Sequence, residues 1–262
     1  QRRRGCDLPL GRMRHGRRRG SRFLSGVFPR PGSNIWPKRP ERVVNVRRCR
    51  ATAQSFHLRD FEPNEAWFVD VSNEAIVLGS RQDESLLDLE RCEREAVEVV
   101  VRRSGGGIVH LVPEMNVWVD VTISDQHPQW TNDVIESTAW LGETWVRTLG
   151  ELGIESTTYR DRLVADDLGH LICFASLGPG EVVDSTGAKL VGISQRRTRS
   201  SARFQCTVLT GFESERLIGF LAPPTRASLP SQSANELQRR VAIVDRRRSD
   251  IESAFERALL AH

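Results

Sequence analysis

Two stretches combine residue types that could handle an anionic or activated substrate. The first is "RRSGGGIVHL", Arg102–Leu111, which follows the strand-like "VEVVV" of Val97–Val101. Consecutive glycines after a strand present successive backbone N–H groups and so form a concavity that suits an anion. Arg102 and Arg103 add planar, permanently charged forks that match phosphate or carboxylate. A hairpin turn flanked by ordinary surface arginines would give the same letters, and both readings stand at this point. The run is not a dinucleotide fingerprint, which needs G-x-G-x-x-G opening a helix, nor a phosphate loop, since no G-K-[ST] follows. The second stretch is "GAKLVGISQRRTR", Gly187–Arg199, with a lysine, a glycine, a Ser-Gln pair and paired arginines. A further candidate is Cys173 in "CFASLGPGEVV"; a cysteine in an apolar run is most often a small buried hydrophobe.

The elements that must carry these residues alternate between strand and helix patterns. Glu74–Ser80, Val97–Val101 and Asn116–Ile123 read as strands, as do His170–Ser176, Glu181–Ser185, Lys189–Ser194 and Phe204–Thr210. In Asn116–Ile123, Val117, Val119, Val121 and Ile123 alternate with Trp118, Asp120 and Thr122, the pattern of a half-buried strand. Ser85–Ala96 reads as a surface helix. Asp133–Leu152 reads as the strongest helix, capped by Asp133, with Val134, Leu141, Trp145, Leu149 and Leu152 as its buried stripe and Gly153 at its end. Capping boxes, Ser233 with Glu236 and Ser249 with Glu252, open two helices near the C-terminus. The expected fold class is α+β, a mostly antiparallel β-sheet flanked by helices.

Charge divides the chain. Residues 1–50 hold 16 of its 38 Lys and Arg and only two of its 34 acids, leaving 22 basic against 32 acidic residues in the other 212. This basic, Gly- and Pro-punctuated segment is expected to be a disordered extension to a folded domain over 51–262. The acidic body argues against a nucleic-acid surface there. No apolar run approaches the roughly 18 residues of a membrane helix. Five cysteines, Cys6, Cys49, Cys92, Cys173 and Cys206, form no CxxC pair, so neither a metal knuckle nor a disulfide framework is expected, and free thiols in a reducing cytoplasm are the default.

Taken as a pair, the two stretches resemble the lipoate–protein ligase and octanoyltransferase family, whose fold is shared with biotin–protein ligases. Arg102, Arg103, Ser104, Gly105, Gly106, Gly107 and Val109 match its "RRxSGGGAV"-like segment. Gly187, Lys189, Gly192, Ser194 or its neighbour, and Gln195 match the "G-x-K-x-x-G-S-A-Q"-like segment that follows some 80 residues later. The likeness runs from about Phe61 to Leu221. It departs at His110, one place earlier than the family's His-Asp pair and followed by Leu111, and at Ile193-Ser194 in place of Ser-Ala. "CFASLGPGE", with Glu181 eight residues after Cys173 and Lys189 sixteen after, resembles the cysteine-dependent octanoyltransferases.

The resemblance implies a biotin/lipoate protein ligase-like catalytic domain that joins lipoate or octanoate to one lysine of a carrier domain. The acceptors would be the E2 subunits of 2-oxoacid dehydrogenases or the glycine cleavage H protein. It implies Lys189 as the cation beside the reacting carbonyl, and Arg102, Arg103, Ser104, Gly105, Gly106, Gly107, Gly192 and Gln195 as contacts to substrate or acyl-adenylate. A ligase would take ATP and Mg2+ as co-substrates. A transferase would take an acyl-carrier thioester and pass the acyl group through Cys173. Neither implies a tightly bound cofactor or a resident metal. Arg102, Arg103 and "SQRR" favour the phosphate-handling ligase. A catalytically silent acyl- or nucleotide-binding module is the alternative from another class.

Overall fold

The structure, a computed structural model, describes residues 44–261. The readings made on Cys6 and the basic segment up to residue 43 lie outside the described residues. A seven-stranded sheet runs in the order β1-β2-β6-β10-β9-β8-β7, and a three-stranded sheet in the order β4-β3-β5. In chain order the strands are β1 (Asn45–Ala51), β2 (Glu65–Val71), β3 (Ala75–Leu78), β4 (Glu98–Val101), β5 (Val109–Leu111), β6 (Asn116–Ser124), β7 (Thr157–Thr158), β8 (Val182–Val183), β9 (Lys189–Arg197) and β10 (Ser201–Leu209). Only β1–β2 and β3–β4 pair in parallel. The helices are α1 (Ala53–His57), α2 (Leu89–Arg94), α3 (Ala139–Glu151), α4 (Asp167–Leu171), α5 (Ser214–Gly219), α6 (Pro223–Ser228), α7 (Ser233–Arg240) and α8 (Arg248–Leu260). The fold is the expected α+β class.

One face of the large sheet is covered by α3 and α8. Leu141, Trp145 and Leu149 recur every four residues on α3, as do Ile251, Phe255 and Leu259 on α8. The two stripes meet where the Trp145 and Phe255 rings lie 4.2 Å apart, and they bury Val117, Val119, Val121, Ile123, Phe204, Cys206 and Val208. The other face packs under the small sheet, with Trp67, Val69, Val77 and Trp118 in one cluster. This second cover explains a difference from the sequence pattern. Trp118, Asp120 and Thr122, which read as a solvent face, are all buried.

Other differences are local. His170–Ser176 is not a strand: α4 and a 3-10 turn at Cys173–Ala175 occupy it, with Asp166 capping α4 through Gly169 N. Asn45–Ala51 pairs with β2 along its whole length, so the boundary drawn at residue 50 falls inside β1. Ser85–Ala96 splits into a 3-10 turn at Glu84–Leu86 and the short α2. Asp133 does cap a turn, accepting from Ile135 N and Glu136 N, but α3 proper starts at Ala139 and Val134 is exposed. The two capping boxes do not form, because Ser233 and Ser249 already lie inside their helices, whose N-caps are Gln232 and Arg247; the Glu236 carboxylate pairs with Arg239 and Arg240, and that of Glu252 with Arg248. The helices α5 and α6 had no counterpart in the sequence reading.

Candidate active site

Between the two sheets lies a cavity that opens to solvent. Val77, Val109 and Leu111 form its apolar roof, with Trp118, Thr207, Gly192 and Phe174 opposite. Cys173, Arg102, Ser194, Gln205 and His57 complete the wall.

The glycine run shapes one end. Gly106 adopts φ +100°, a conformation that side chains with a Cβ resist. A Cβ on Gly107 would lie 2.8 Å from Cys173 N. The absent side chain lets the loop close on the segment that carries Cys173, where Cys173 N donates to Ile108 O at 2.9 Å. Gly105 has open space around its Cα, and nothing in the packing accounts for it. Gly106 and Gly107 therefore serve close approach of the chain to itself.

Arg102 is buried and stitches this loop. Its Nη2 donates to Gly105 O at 2.8 Å and Gly107 O at 2.9 Å, and its guanidinium reaches the Cys173 thiol. Burial lowers its pKa, and the neighbouring thiol opposes that fall. Lys189 is 1% exposed rather than on a rim. Its Nζ donates to Cys173 O at 2.7 Å and pairs with both Glu181 carboxylate oxygens, at 2.9 and 2.7 Å. Glu181 in turn accepts from Gly178 N and Ile193 N. Cys173, Lys189, Glu181 and Arg102 thus form one connected unit at the Gly192 end of the cavity.

A polar belt crosses further along. The Ser104 hydroxyl donates to Gln205 Oε1 at 2.6 Å and lies 3.2 Å from Ser194 Oγ. Gln205 Nε2 lies 3.2 Å from His57 Nδ1. Beneath the belt, Asp120 is fully buried, accepting from Trp118 Nε1 at 2.6 Å and Arg203 Nε at 2.5 Å. Burial pushes the Asp120 pKa up, while Arg203 and Trp118 pull it back.

Arg103 does not join the cavity. It turns to a separate cleft with Arg59, Arg196, Arg203 and Phe61, where its Nη1 lies 3.5 Å from the exposed Asp60. Gln195 also points away, its side chain bonded to Ser137 Oγ and Val134 O. Of the residues marked in the sequence, Arg102, Cys173, Gly192 and Ser194 line the cavity, and Ser104 and Lys189 stand behind that wall. Sequence reasoning missed His57, Trp118, Gln205 and Thr207. The last three occupy every second place in two strands, a pattern that cannot tell a cavity wall from a solvent face.

The sequence profile of the lipoyl protein ligase A/B catalytic domain matches residues 51–258. The chain belongs to this family. In fold it is similar to a bipartite lipoate protein ligase from Thermoplasma acidophilum, a structure that concerns that ligase and its E2 lipoyl domain, with a TM-score of 0.63, 16% identity and 82% of each chain covered. It is similar to a second T. acidophilum structure, with bound lipoic acid, at TM-score 0.62 and 14% identity over 82% of this chain and 84% of that one. A lipoate–protein ligase A bound with ATP gives TM-score 0.54 and 14% identity over 83% of this chain and 94% of that one. No curated protein matches the chain by sequence. The chain is thus an enzyme domain of the ligase and transferase kind. No helix among the described residues is long and apolar enough to cross a membrane.

Proposed function

We propose that this enzyme transfers a medium-chain acyl group from a carrier thioester to a lysine of a lipoyl carrier domain, through an acyl-enzyme on Cys173. The observation that carries this reading is the Cys173 thiol, on the wall of the apolar cavity and against the Arg102 guanidinium. The sulfur of a cysteine on the wall of an acyl-sized cavity is placed to take the acyl group as a thioester.

The thiolate attacks the thioester carbonyl, the new C–S bond forms, and the donor thiol leaves with the proton that Cys173 gave up. The neutral amine of the acceptor lysine then attacks the acyl-enzyme. An amide forms, the Cys173 thiolate departs, and the amine's proton returns to it. Lys189 acts as a positioning residue, holding the Cys173 backbone against Glu181.

The ATP-dependent ligase is the alternative, and three of the side chains that favoured it lie outside the cavity. Arg103 faces the other cleft, Gln195 points away, and Arg197 is committed to Thr131 O and the Trp130 ring. Lys189 and Arg196 lie seven residues apart on β9, about 23 Å along an extended strand, too far for one phosphate to bridge. The acceptors on this reading are the E2 subunits and the glycine cleavage H protein, the donor is an acyl carrier protein, and the reducing cytoplasm keeps Cys173 a thiol.

The test is incubation with an apo lipoyl domain, with octanoyl-carrier thioester in one arm and lipoate plus Mg-ATP in the other. Transfer without ATP, a mass adduct on Cys173, and loss of both in Cys173→Ser are expected. Modification that needs ATP and survives Cys173→Ser would establish the ligase.

A further inference from the structure

The short turn that carries Cys173 is gripped at both ends by long side chains from distant parts of the chain. At one end Cys173 O accepts from Lys189 Nζ at 2.7 Å, and Cys173 N donates to Ile108 O at 2.9 Å. At the other, Arg240, the last residue of α7, donates from Nη1 to Ala175 O at 2.9 Å. The same guanidinium spends its other donors on carboxylates. Its Nη1 and Nη2 meet the two Asp166 oxygens at 3.0 and 2.7 Å, and its Nε donates to Glu236 at 2.9 Å.

Asp166 is also the N-cap of α4, accepting from Gly169 N at 2.9 Å. Arg240 therefore fastens the start of α4 to the end of the turn, with Cys173 between the two fixed points. The backbone beside Arg240 reaches the other grip: Ala242 N donates to Lys189 O at 2.9 Å, and Val241 packs with Phe174 and Ala175 in one apolar cluster. The hydrogen bonds from Arg240 and Gly169 N hold the Asp166 pKa down to about 2, so the clamp keeps its charges near neutral pH. Serving Ala175 O, Asp166 and Glu236 at once takes a planar fork, which a lysine ammonium cannot reproduce. The Arg240 and Asp166 side chains are 30% and 53% exposed, so their pairing adds little to global stability. What it fixes is local, the placement of a 3-10 turn whose own hydrogen bonds are few and poorly aligned.

We propose that Arg240 is a positioning residue for Cys173: by tying Ala175 O to the Asp166 cap, it keeps the Cys173–Ala175 turn, and the sulfur on it, at the cavity wall in the geometry that attack on an acyl donor requires. Arg240 touches neither the cavity nor the acyl group and acts only through the turn. This rests on the reading that Cys173 takes the acyl group.

The test compares wild type with Arg240→Met, Arg240→Lys and Arg239→Met. Arg239 stands beside Arg240 on α7 and pairs with Glu236, so its variant controls for the loss of a charge from that helix. Two quantities are read: the single-turnover rate of acyl transfer from octanoyl-carrier thioester to Cys173, followed on the Cys173 peptide by mass over a range of donor concentrations, and the affinity for octanamide by calorimetric titration. A misplacement of about 1 Å can cost about a hundredfold in rate, so a loosened turn in Arg240→Met should lower the saturating rate about tenfold or more. The half-saturating donor concentration and the octanamide affinity should stay within about twofold of wild type, the signature of lost positioning rather than lost binding. Arg240→Lys, which keeps the charge and part of the hydrogen bonding, should recover some of the rate, and Arg239→Met should match wild type. If Arg240→Met does not fold, Arg240→Lys carries the test alone, with a several-fold fall in saturating rate expected. A wild-type rate in the Arg240 variants, a fall that Arg239→Met reproduces, or a fall matched by lost octanamide affinity would make Arg240 a structural tie and overturn the proposal, with the acyl-enzyme still standing. A wild type that takes no acyl group on Cys173 would bring down that reading and the proposal together.

Discussion

The two faces of the seven-stranded sheet are made by the same strands and differ in chemistry. On β6, Val117, Val119, Val121 and Ile123 meet the stripes of α3 and α8 in an apolar core. Their neighbours Trp118, Asp120 and Thr122 face the small sheet, where an ion pair, a histidine and a hydrogen-bonded belt surround the cavity. Both faces are buried, so burial does not separate them. The first face needs only volume and hydrophobicity. The second keeps polar groups that are costly to bury, most of them held by a partner. Substitutions on the first should change stability and spare chemistry; on the second, the two should move together or chemistry alone.

The sharpest break in that contrast is at Lys189. A rim lysine could be removed without cost to the fold, but Lys189 is buried against Glu181. Lys189→Met leaves a buried carboxylate without its cation, which costs about 3–5 kcal/mol. It also releases the Cys173 backbone, so transfer should fall by about a hundredfold or more. Adding Glu181→Leu removes the orphaned charge. The double variant should recover most of the unfolding free energy in urea titrations and none of the activity. Recovery of both would reduce the pair to packing.

Phe204→Ala tests the opposite face. Phe204 is fully buried, with its ring edge-on to Trp140 at 5.8 Å. The lost packing should cost about 3–5 kcal/mol. Turnover per folded molecule, measured well below the melting temperature, should stay near wild type. A matching fall in turnover would show that the two faces are mechanically coupled.

How much of this was legible in the sequence follows the same division. The apolar face was, because Val117, Val119, Val121 and Ile123 state a strand's period, and Leu141, Trp145 and Leu149 a helix's. The Cys173–Lys189 unit was legible through motif and spacing, though its local structure was not. "HLICFAS" is apolar enough for a strand, and the Asp166 cap to Gly169 N that opens α4 was not weighed against it. The belt was invisible. Nothing near His57 announces that Gln205, 148 residues later, would meet its ring. Arg102 and Arg103 are identical letters, separated only by which side of the loop each leaves.

His57 sharpens the comparison through pH. Its folded pKa of about 3 lies below the usual 6.5, so the folded state resists a proton that the unfolded chain accepts. Its stabilising effect is complete above pH 6.5 and is lost as pH falls toward 3. Between pH 6.5 and 5, above the range in which carboxylates titrate, the loss should be about 2 kcal/mol. Urea unfolding at several pH values in that window should show the slope in wild type and a flatter line in His57→Phe. Parallel slopes would place the titration elsewhere.

The smallest effect is expected at Arg103, and its size separates the two routes of catalysis. Arg103 leaves the glycine loop on the side away from Cys173 and is close to half exposed, with an exposed aspartate 3.5 Å away. A pair of that kind contributes between zero and about 1 kcal/mol, so Arg103→Gln should leave the unfolding midpoint nearly unchanged. If the acyl group is activated as a thioester and passed to Cys173, no phosphate is held on the enzyme at the reacting carbonyl, and acylation should stay within a few-fold of wild type. If the enzyme makes an acyl-adenylate gripped by the paired arginines, losing a bidentate phosphate contact should cost a hundredfold or more. The measurement is the initial rate of modification of an apo lipoyl domain under each donor condition. A large fall confined to the ATP arm would move the phosphate site to Arg103 and take the acyl-enzyme route down with it.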